Sequence, residues 1–378
     1  MAYLLCENCK KRHSKNRLAK LSKSPAECYI CQGKLELLPK LCDEAFDLAK
    51  KAEWNSFIVQ TTFERKLLFR EEELFDSEQI EESMAIKNQA NQIAIAYLAK
   101  KSKKQADSNG DIALSIDFSK NEGRATPSNL YISGHYIKKS REYCQHDWAC
   151  MACRGKGCKQ CNYTKEKFPS IENAFRKVFT PAFGAADTFL HASGREDVDV
   201  LSLEGGRPFV LEIIHPLRRH ADLGALSKQL AENFPLEAKG LKYCQKFWIE
   251  AICTSHFDKH YRAIVEGERQ LDKEDWKKLS SSFPIHIKQQ TPIRVLRRRT
   301  DLIRKRTVYN MKLVSNENGK LIVDIWAEAG TYIKELIHSD GGRTNPSFSS
   351  ILGMQCKCTQ LDVMGIDDAF INSLRARA

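Results

Sequence analysis

Apolar and polar positions change period several times along this chain. Ser56–Phe63 and Asp111–Phe118 are short, β-branched or alternating, and bounded by polar residues, which predicts strands. Glu81–Lys104 carries Met84, Ile86, Ile93, Ile95, Tyr97 and Leu98 as a broad helical stripe. It ends in Lys100, Lys101, Lys103 and Lys104, which complement a helix C-terminus. Gln105–Gly110 is polar and ends in glycine, so a loop is expected there. Asn129–Ile137 reads as another strand, leading into Lys138, Lys139 and Arg141. Val198, Val200 and Phe209–Ile213 have strand character, and Gly205-Gly206 would turn between them, predicting a hairpin with a loop at its start. Tyr261-Arg262 opens the short apolar run Ala263–Val265. Leu321–Trp326 is an apolar strand. Ala329–Leu336 reads as a strand end, a Gly-Thr cap and the start of a helix, with a polar turn over Asp340–Thr344. No internal repeat is visible. The succession predicts an α+β chain.

At about 150 residues per domain, 378 residues suggest two or three domains. Apolar residues make up 42%, enough to build real cores and to exclude wholesale disorder. Lys and Arg number 60 against 48 Asp and Glu, a net +12 that favours a polyanionic partner, nucleic acid first. No apolar stretch is long enough to span a bilayer and no leader is visible, so a cytoplasmic chain is expected.

The chain has 14 cysteines, most of them in CxxC pairs, and in a reducing compartment such pairs read as metal ligands. Cys6 and Cys9 form one knuckle, and Cys28 and Cys31 a second, together able to close a tetrahedral Zn²⁺ site. Between the knuckles lie Lys10, Lys11, Arg12, Lys15, Arg17, Lys20 and Lys23 with no acid until Glu27, a cationic loop suited to phosphate. Cys150, Cys153, Cys158 and Cys161 form a tighter pair of knuckles, whose Arg154-Gly155-Lys156-Gly157 linker lets the backbone reverse sharply. A second Zn²⁺ is expected there, or else a loop of paired, inert thiols.

The segment Ser193–Val200 places Asp197 and Asp199 beside apolar residues, with Glu212 further on. If it alternates as a strand, the two aspartates share a face. A single aspartate could act as nucleophile or base, or the three acids could gather Mg²⁺ for phosphodiester hydrolysis. Lys288–Arg306 holds Lys288, Arg294, Arg297, Arg298, Arg299, Arg304, Lys305 and Arg306 against one acid, Asp301. Aliphatic residues interrupt the run, so it is expected to stand on folded structure as a phosphate-tracking ridge. Neither a P-loop nor a GxGxxG after a strand is present, and no organic cofactor is expected.

Gly194-Arg195-Glu196-Asp197 resembles the catalytic loop of pseudouridine synthases, in which Gly-Arg-x-Asp presents the essential aspartate. Ala329–Leu336 (AGTYIKEL) is similar to the later motif that supplies its basic partner. With GREDVDV, GGRPFVLEI and TPIRVLRRR, these strings resemble the archaeal and eukaryotic tRNA pseudouridine synthases for uridines 54 and 55, the Pus-ten family, over most of 190–365. The first half is similar to that family's accessory region through the zinc knuckles, Ser133-Gly134-His135-Tyr136 with Lys139-Ser140-Arg141, and the CRGKGC cluster. The resemblance implies a zinc-knuckle region over 1–40, a THUMP-like RNA-binding domain with the second cluster over 41–165, and a catalytic domain over 166–378.

On this resemblance Asp197 is the catalytic aspartate and Lys334 its basic partner. Tyr261 stacks on the target base and Tyr332 is a second tyrosine at the substrate. Arg195 is expected to fill the gap left by an extruded nucleotide. The implied partner is the T-loop and T-arm of tRNA. Two other readings stand beside it: a metal-dependent nuclease using Asp197, Asp199 and Glu212, and a non-catalytic zinc-ribbon RNA-binding protein.

Overall fold

The computed structural model describes residues 3–13, 19–78, 84–297 and 299–369. Of the residues singled out above, Lys15, Arg17, Arg298 and positions 81–83 lie outside this range. The chain divides into two compact units: residues 1–129 with 183–186 and 214–220, and residues 130–182 with 187–213 and 221–378.

The first unit begins with β1 (Tyr3–Leu5), α1 (Glu7–Arg12) and β2 (Ala19–Leu21), the two strands pairing in parallel. Then follow α2 (Leu38–Ala49), β3 (Ser56–Thr62), α3 (Arg65–Glu78), α4 (Ile86–Ser102), β4 (Gln105–Ala106), β5 (Ile112–Asp117) and β6 (Glu122–Pro127). Four strands form a sheet in the order β4-β3-β5-β6, in which only β5–β6 is antiparallel. The segment expected to be a loop thus starts with a short parallel edge strand. In α4 the buried positions are Ile86, Ala90, Ala94 and Leu98, while Met84 and Ile93 of the expected stripe are exposed. Alanines on the inner face let this helix approach its neighbours closely, so its large aliphatic residues are pushed to the flanks.

The second unit holds a ten-stranded sheet. Its elements in chain order are β7 (Leu130–Lys138), α5 (Ile171–Phe183), β8 (Asp187–Ala192), β9 (Leu201–Ile214), α6 (Leu223–Asn233), β10 (Leu236–Cys244), α7 (Phe247–Thr254), β11 (Lys259–Gly267), α8 (Lys273–Ser280), β12 (Ile285–Gln290), β13 (Ile303–Glu317), β14 (Lys320–Ala327), α9 (Ile333–His338), β15 (Thr344–Asn345), α10 (Phe348–Leu352) and β16 (Cys356–Ile366). The strands run in the order β10-β7-β9-β16-β11-β14-β13-β12-β15, with β8 on β9. Neighbours pair antiparallel wherever their register is known, except β16 with β9, which is parallel. Tyr261, Ala263 and Val265 of β11, every second residue, pack in one buried cluster with Leu321, Val323 and Ile325 of β14 and Ile333, Leu336 and Ile337 of α9. The chain is α+β, as its pattern predicts.

Three local expectations are corrected. Gly205-Gly206 does not turn between two strands but lies inside β9. The three residues of β7 from Tyr136 to Lys138 oppose the stretch of β9 from Arg207 back to Ser202, so Leu203–Gly206 bulges out of the ladder. Gly206, at φ +79°, passes so close to β7 that a Cβ would sit 2.9 Å from the Tyr136 carbonyl oxygen. Asp197 and Asp199 therefore lie on no strand; they belong to the connection between β8 and β9. Thr331 does not cap α9 either: the N-cap is Tyr332, and the Thr331 hydroxyl donates back to the Glu328 carbonyl.

Because β7 sits inside the large sheet, the compact units part at 129/130, ahead of the boundary expected at 165/166, and the second cysteine cluster goes with the second unit. Among the described residues no helix is long and apolar enough to cross a membrane.

Candidate active site

The connection Ser193–Val200 is fixed from several sides. Gly194 has φ +73°, a left-handed backbone that a side chain resists, and it starts the excursion away from β8. Inside the loop, Glu196 is buried and pairs with Arg207 of β9, Nε to Oε2 at 2.8 Å, both side chains at 2% exposure or less. Such a pair holds only if its remaining valences are used. Here Arg207 also donates to the Ser193 carbonyl at 2.7 Å, and Tyr136 donates to both Glu196 oxygens at 2.9 and 3.1 Å. Gln145 donates to the Tyr136 hydroxyl and to the Gly194 carbonyl, each at 2.9 Å.

Lys138, at the end of β7, has no exposed surface. Its ammonium donates to the carbonyls of Asp197 (3.1 Å), Val198 (2.7 Å) and Val200 (2.9 Å). Burial pushes this group down to about 8. Arg141 donates to the Asp199 carbonyl at 2.7 Å and holds Asp362 of β16 at 2.7–2.8 Å, while Asp362 accepts from the Leu201 N–H at 3.1 Å. The string from Ser133 to Arg141, which on sequence resembles an accessory RNA-binding feature, here supports this loop. Its His135 faces Asp368 instead of solvent.

Held this way, the loop turns the Asp197 carboxylate outward, with its side chain 43% exposed. Two cations meet it. Arg294, from the turn after β12, contacts both oxygens through Nη1 at 3.0 and 3.2 Å. Lys334, in the first turn of α9, lies 3.6 Å from Asp197 and hydrogen-bonds Asp199 instead, at 2.9 and 3.1 Å. Burial raises the Asp199 carboxyl, but the Lys334 ammonium outweighs it and holds the group below the ordinary carboxylate range. Arg294 is itself aimed by Glu335, a carboxylate at 1% exposure that takes its Nε at 2.7 Å. The guanidinium lies 5.9 Å from the centre of the Tyr332 ring. Gln289 of β12 pins the Tyr332 backbone on both sides, at 2.7 and 2.9 Å.

Asp197, Lys334 and Tyr332 are therefore brought together. Tyr261 is buried at 8% in the same cluster as Val200, where burial pushes its phenol up to about 12. Arg195 is exposed at the loop's outer edge. Glu212 pairs with His191 at 3.0 Å on the β8–β9 ladder. Among the described residues only the cysteine tetrads gather three or more candidate metal ligands, so the acidic trio expected for a nuclease does not assemble.

Sequence reading missed Lys138, Arg207, Glu196 and Arg294. A lone charge in an apolar strand, as at Arg207 in GGRPFVLEI, is the signal for a buried pair. Arg294 gave none, being one cation among eight. Of the expected ridge, Arg304 donates to Thr291 and Arg306 pairs with Glu328, leaving Lys288, Arg297, Arg299 and Lys305 exposed.

Each cysteine tetrad has its four sulfurs within 4.8 Å of one another. Individual spacings are 3.5 Å for Cys6–Cys31, 4.0 Å for Cys150–Cys158, 3.9 Å for Cys153–Cys161 and 3.8 Å for Cys158–Cys161. The edge of a tetrahedron with metal–sulfur bonds of about 2.3 Å is about 3.8 Å. Donors also point at the sulfurs: Gly157 N–H to Cys153 at 3.1 Å, Cys158 N–H to Cys161 at 3.3 Å, and Arg12 to Cys9 at 3.3 Å. Both tetrads can hold a metal ion. Arg12, one of the cations expected in a loop suited to phosphate, is buried and pairs with Glu71.

Residues 131–367 match the family model described as Pus10, C-terminal. The chain belongs to the Pus10 family. Relatives named tRNA pseudouridine synthase Pus10 include those of Methanocaldococcus jannaschii, 36% identical over 93% of this chain and 78% of theirs, and Methanothrix thermoacetophila, 32% identical over 90% and 76%. Among solved structures, a chain of a Cbf5–Nop10–Gar1 complex overlaps 62% of this chain and 48% of its own, with 15% identity and a TM-score of 0.34. Every loop-holding residue from Tyr136 to Asp362, and the Asp197–Arg294–Lys334 group, lies within the stretch matched to Pus10.

Proposed function

We infer that this chain is a tRNA pseudouridine synthase that isomerises uridine at positions 54 and/or 55 of the T-loop, with Asp197 as its catalytic carboxylate. The observation that carries the reading is the setting of Asp197: an exposed carboxylate on a rigid loop, faced by Arg294 and Lys334. Isomerisation breaks the N-glycosidic bond, turns the uracil and joins its C5 to C1′ of the same ribose. Atoms and electrons balance within the nucleoside, so the protein must supply geometry, charge and a carboxylate.

Two cations face the carboxylate that acts on the nucleoside, and one can then follow charge as it moves to the base. The target uridine must leave its stack to reach Asp197, at a cost of about a few kcal/mol. Tyr261 forms the wall against which the uracil rests, Tyr332 a second contact at the substrate, and Arg195 occupies the vacated stack. The two tetrads would hold structural Zn²⁺, whose contribution is to fold the segments that bind it. We assign the first unit, with the zinc region 1–40, to THUMP-like RNA binding, and the second to catalysis in the cytoplasm.

Mass-spectrometric mapping of pseudouridine in an unmodified tRNA transcript tests the reading. Conversion at 54, 55 or both is expected. Conversion confined to uridines outside the T-loop would overturn the positional assignment, and none at all would overturn the activity.

A further inference from the structure

Helix α3 of the first unit carries a charge order that the helix itself does not explain. Arg65, Lys66 and Arg70 lie in its first half, while Glu71, Glu72, Glu73 and Asp76 follow. There is no acid in the first turn and no base in the last, the reverse of what the backbone dipole favours. Some of the acids are accounted for. Glu71 is buried against Arg12 and the Ile86 N–H, and Glu73 accepts from the Tyr29 hydroxyl at 2.6 Å.

The three cations have no such use. Among the described residues none of them forms an ion pair, and the one internal bond is from Arg70 Nε to the Lys66 carbonyl at 3.1 Å. They surround Phe69, a residue 67% exposed, although Leu67 and Leu74 of the same helix are buried. Positions 65, 66, 69 and 70 fall on one helical face. Together with Gln32, in the left-handed turn just after Cys31, they line a concavity of about 540 Å³.

An exposed aromatic ring within a rim of unpaired cations combines the two contacts that hold unpaired nucleotides: a face for the base and charge for its phosphates. We propose that this face of α3 is a nucleotide platform for the RNA substrate, with a base stacked on Phe69 and flanking phosphates held by Arg65, Lys66 and Arg70. This rests on the reading of the chain as a tRNA-modifying enzyme. The acids of the following turns bound the footprint, because a polyanion laid further along α3 meets Glu72. An acidic peptide satisfies the cations but gives the ring no planar partner.

The test is equilibrium binding of an unmodified full-length tRNA transcript to the full chain over a KCl series, with circular dichroism and bound-zinc content as checks of folding. Changing Arg65, Lys66 and Arg70 together to Gln should lower the slope of log affinity against log salt by about two. Phe69→Ala should weaken binding about tenfold, and Phe69→Tyr should restore it. Folded variants that bind as the parent does would overturn the platform. So would an equal loss on changing three other exposed lysines of the unit, Lys51, Lys103 and Lys120, to Gln, since that would mark diffuse attraction. A parent chain that binds tRNA but never converts uridine would count against the activity alone and leave the platform standing.

Discussion

Asp197 and Lys334 were visible as a pair in the sequence because each sits in a compact motif. Their division of labour was not. Lys334 bonds chiefly to Asp199, and the cation that holds Asp197 is Arg294, aimed through Nε by the buried Glu335. In a run of basic residues, nothing local says which one turns inward; here the short turn Ile293–Val295 decides it. The arrangement separates the two cations experimentally. Arg294→Lys keeps the charge but cannot reach Glu335 and Asp197 at once with a planar fork, so kcat should fall about tenfold or more. Lys334→Met should also lower kcat, and Asp199→Asn less so, since it releases Lys334 toward Asp197. Steady-state rates on one tRNA transcript check the order. Arg294→Lys turning over at the parent rate would remove Arg294 from the site.

The β8–β9 connection shows why alternation misled. The alternation of valine and aspartate falls in a loop whose Asp197, Val198 and Val200 carbonyls Lys138 takes up, with Val200 buried and Val198 half-buried, and not in a paired strand. Strands and helices with apolar periods were legible; a loop organised by a buried ammonium from a strand distant in sequence was not, since no local pattern encodes that contact. Lys138 makes a pH-dependent prediction. Its folded value of about 8 lies below the ordinary lysine value of about 10.4. Between the two, the unfolded chain holds a proton that the folded chain has released, so this group's contribution to stability rises with pH across that window. Lys138→Met lacks the term. In urea denaturation its deficit relative to the parent should therefore widen from about pH 8 to about pH 10, as the folded value requires. A constant deficit would mean that Lys138 keeps an ordinary affinity for protons.

Taken across both units, the chain binds its loops through two kinds of staple: buried ion pairs around the site and cysteine tetrads outside it. CxxC spacing made the tetrads legible, because a metal's ligand geometry is short-range in sequence. The membership of β7 in the large sheet was not legible, because pairing with β9 and β10 spans distant segments. We expect two Zn²⁺ per chain by elemental analysis. The Cys6 tetrad is buried throughout, whereas Cys153, Cys158 and Cys161 are partly exposed. A chelator should therefore withdraw zinc in two phases, the faster abolished by Cys158→Ser and the slower by Cys28→Ser, with the slower accompanied by unfolding of the first unit. A single phase untouched by Cys158→Ser would leave the second tetrad without metal. The sharpest test of the proposed chemistry is a single-turnover assay of Asp197→Asn, with tRNA affinity measured on the same preparation. The account predicts no detectable pseudouridine and a dissociation constant close to that of the parent; a variant that still isomerises uridine, or that loses binding in step with turnover, would contradict it.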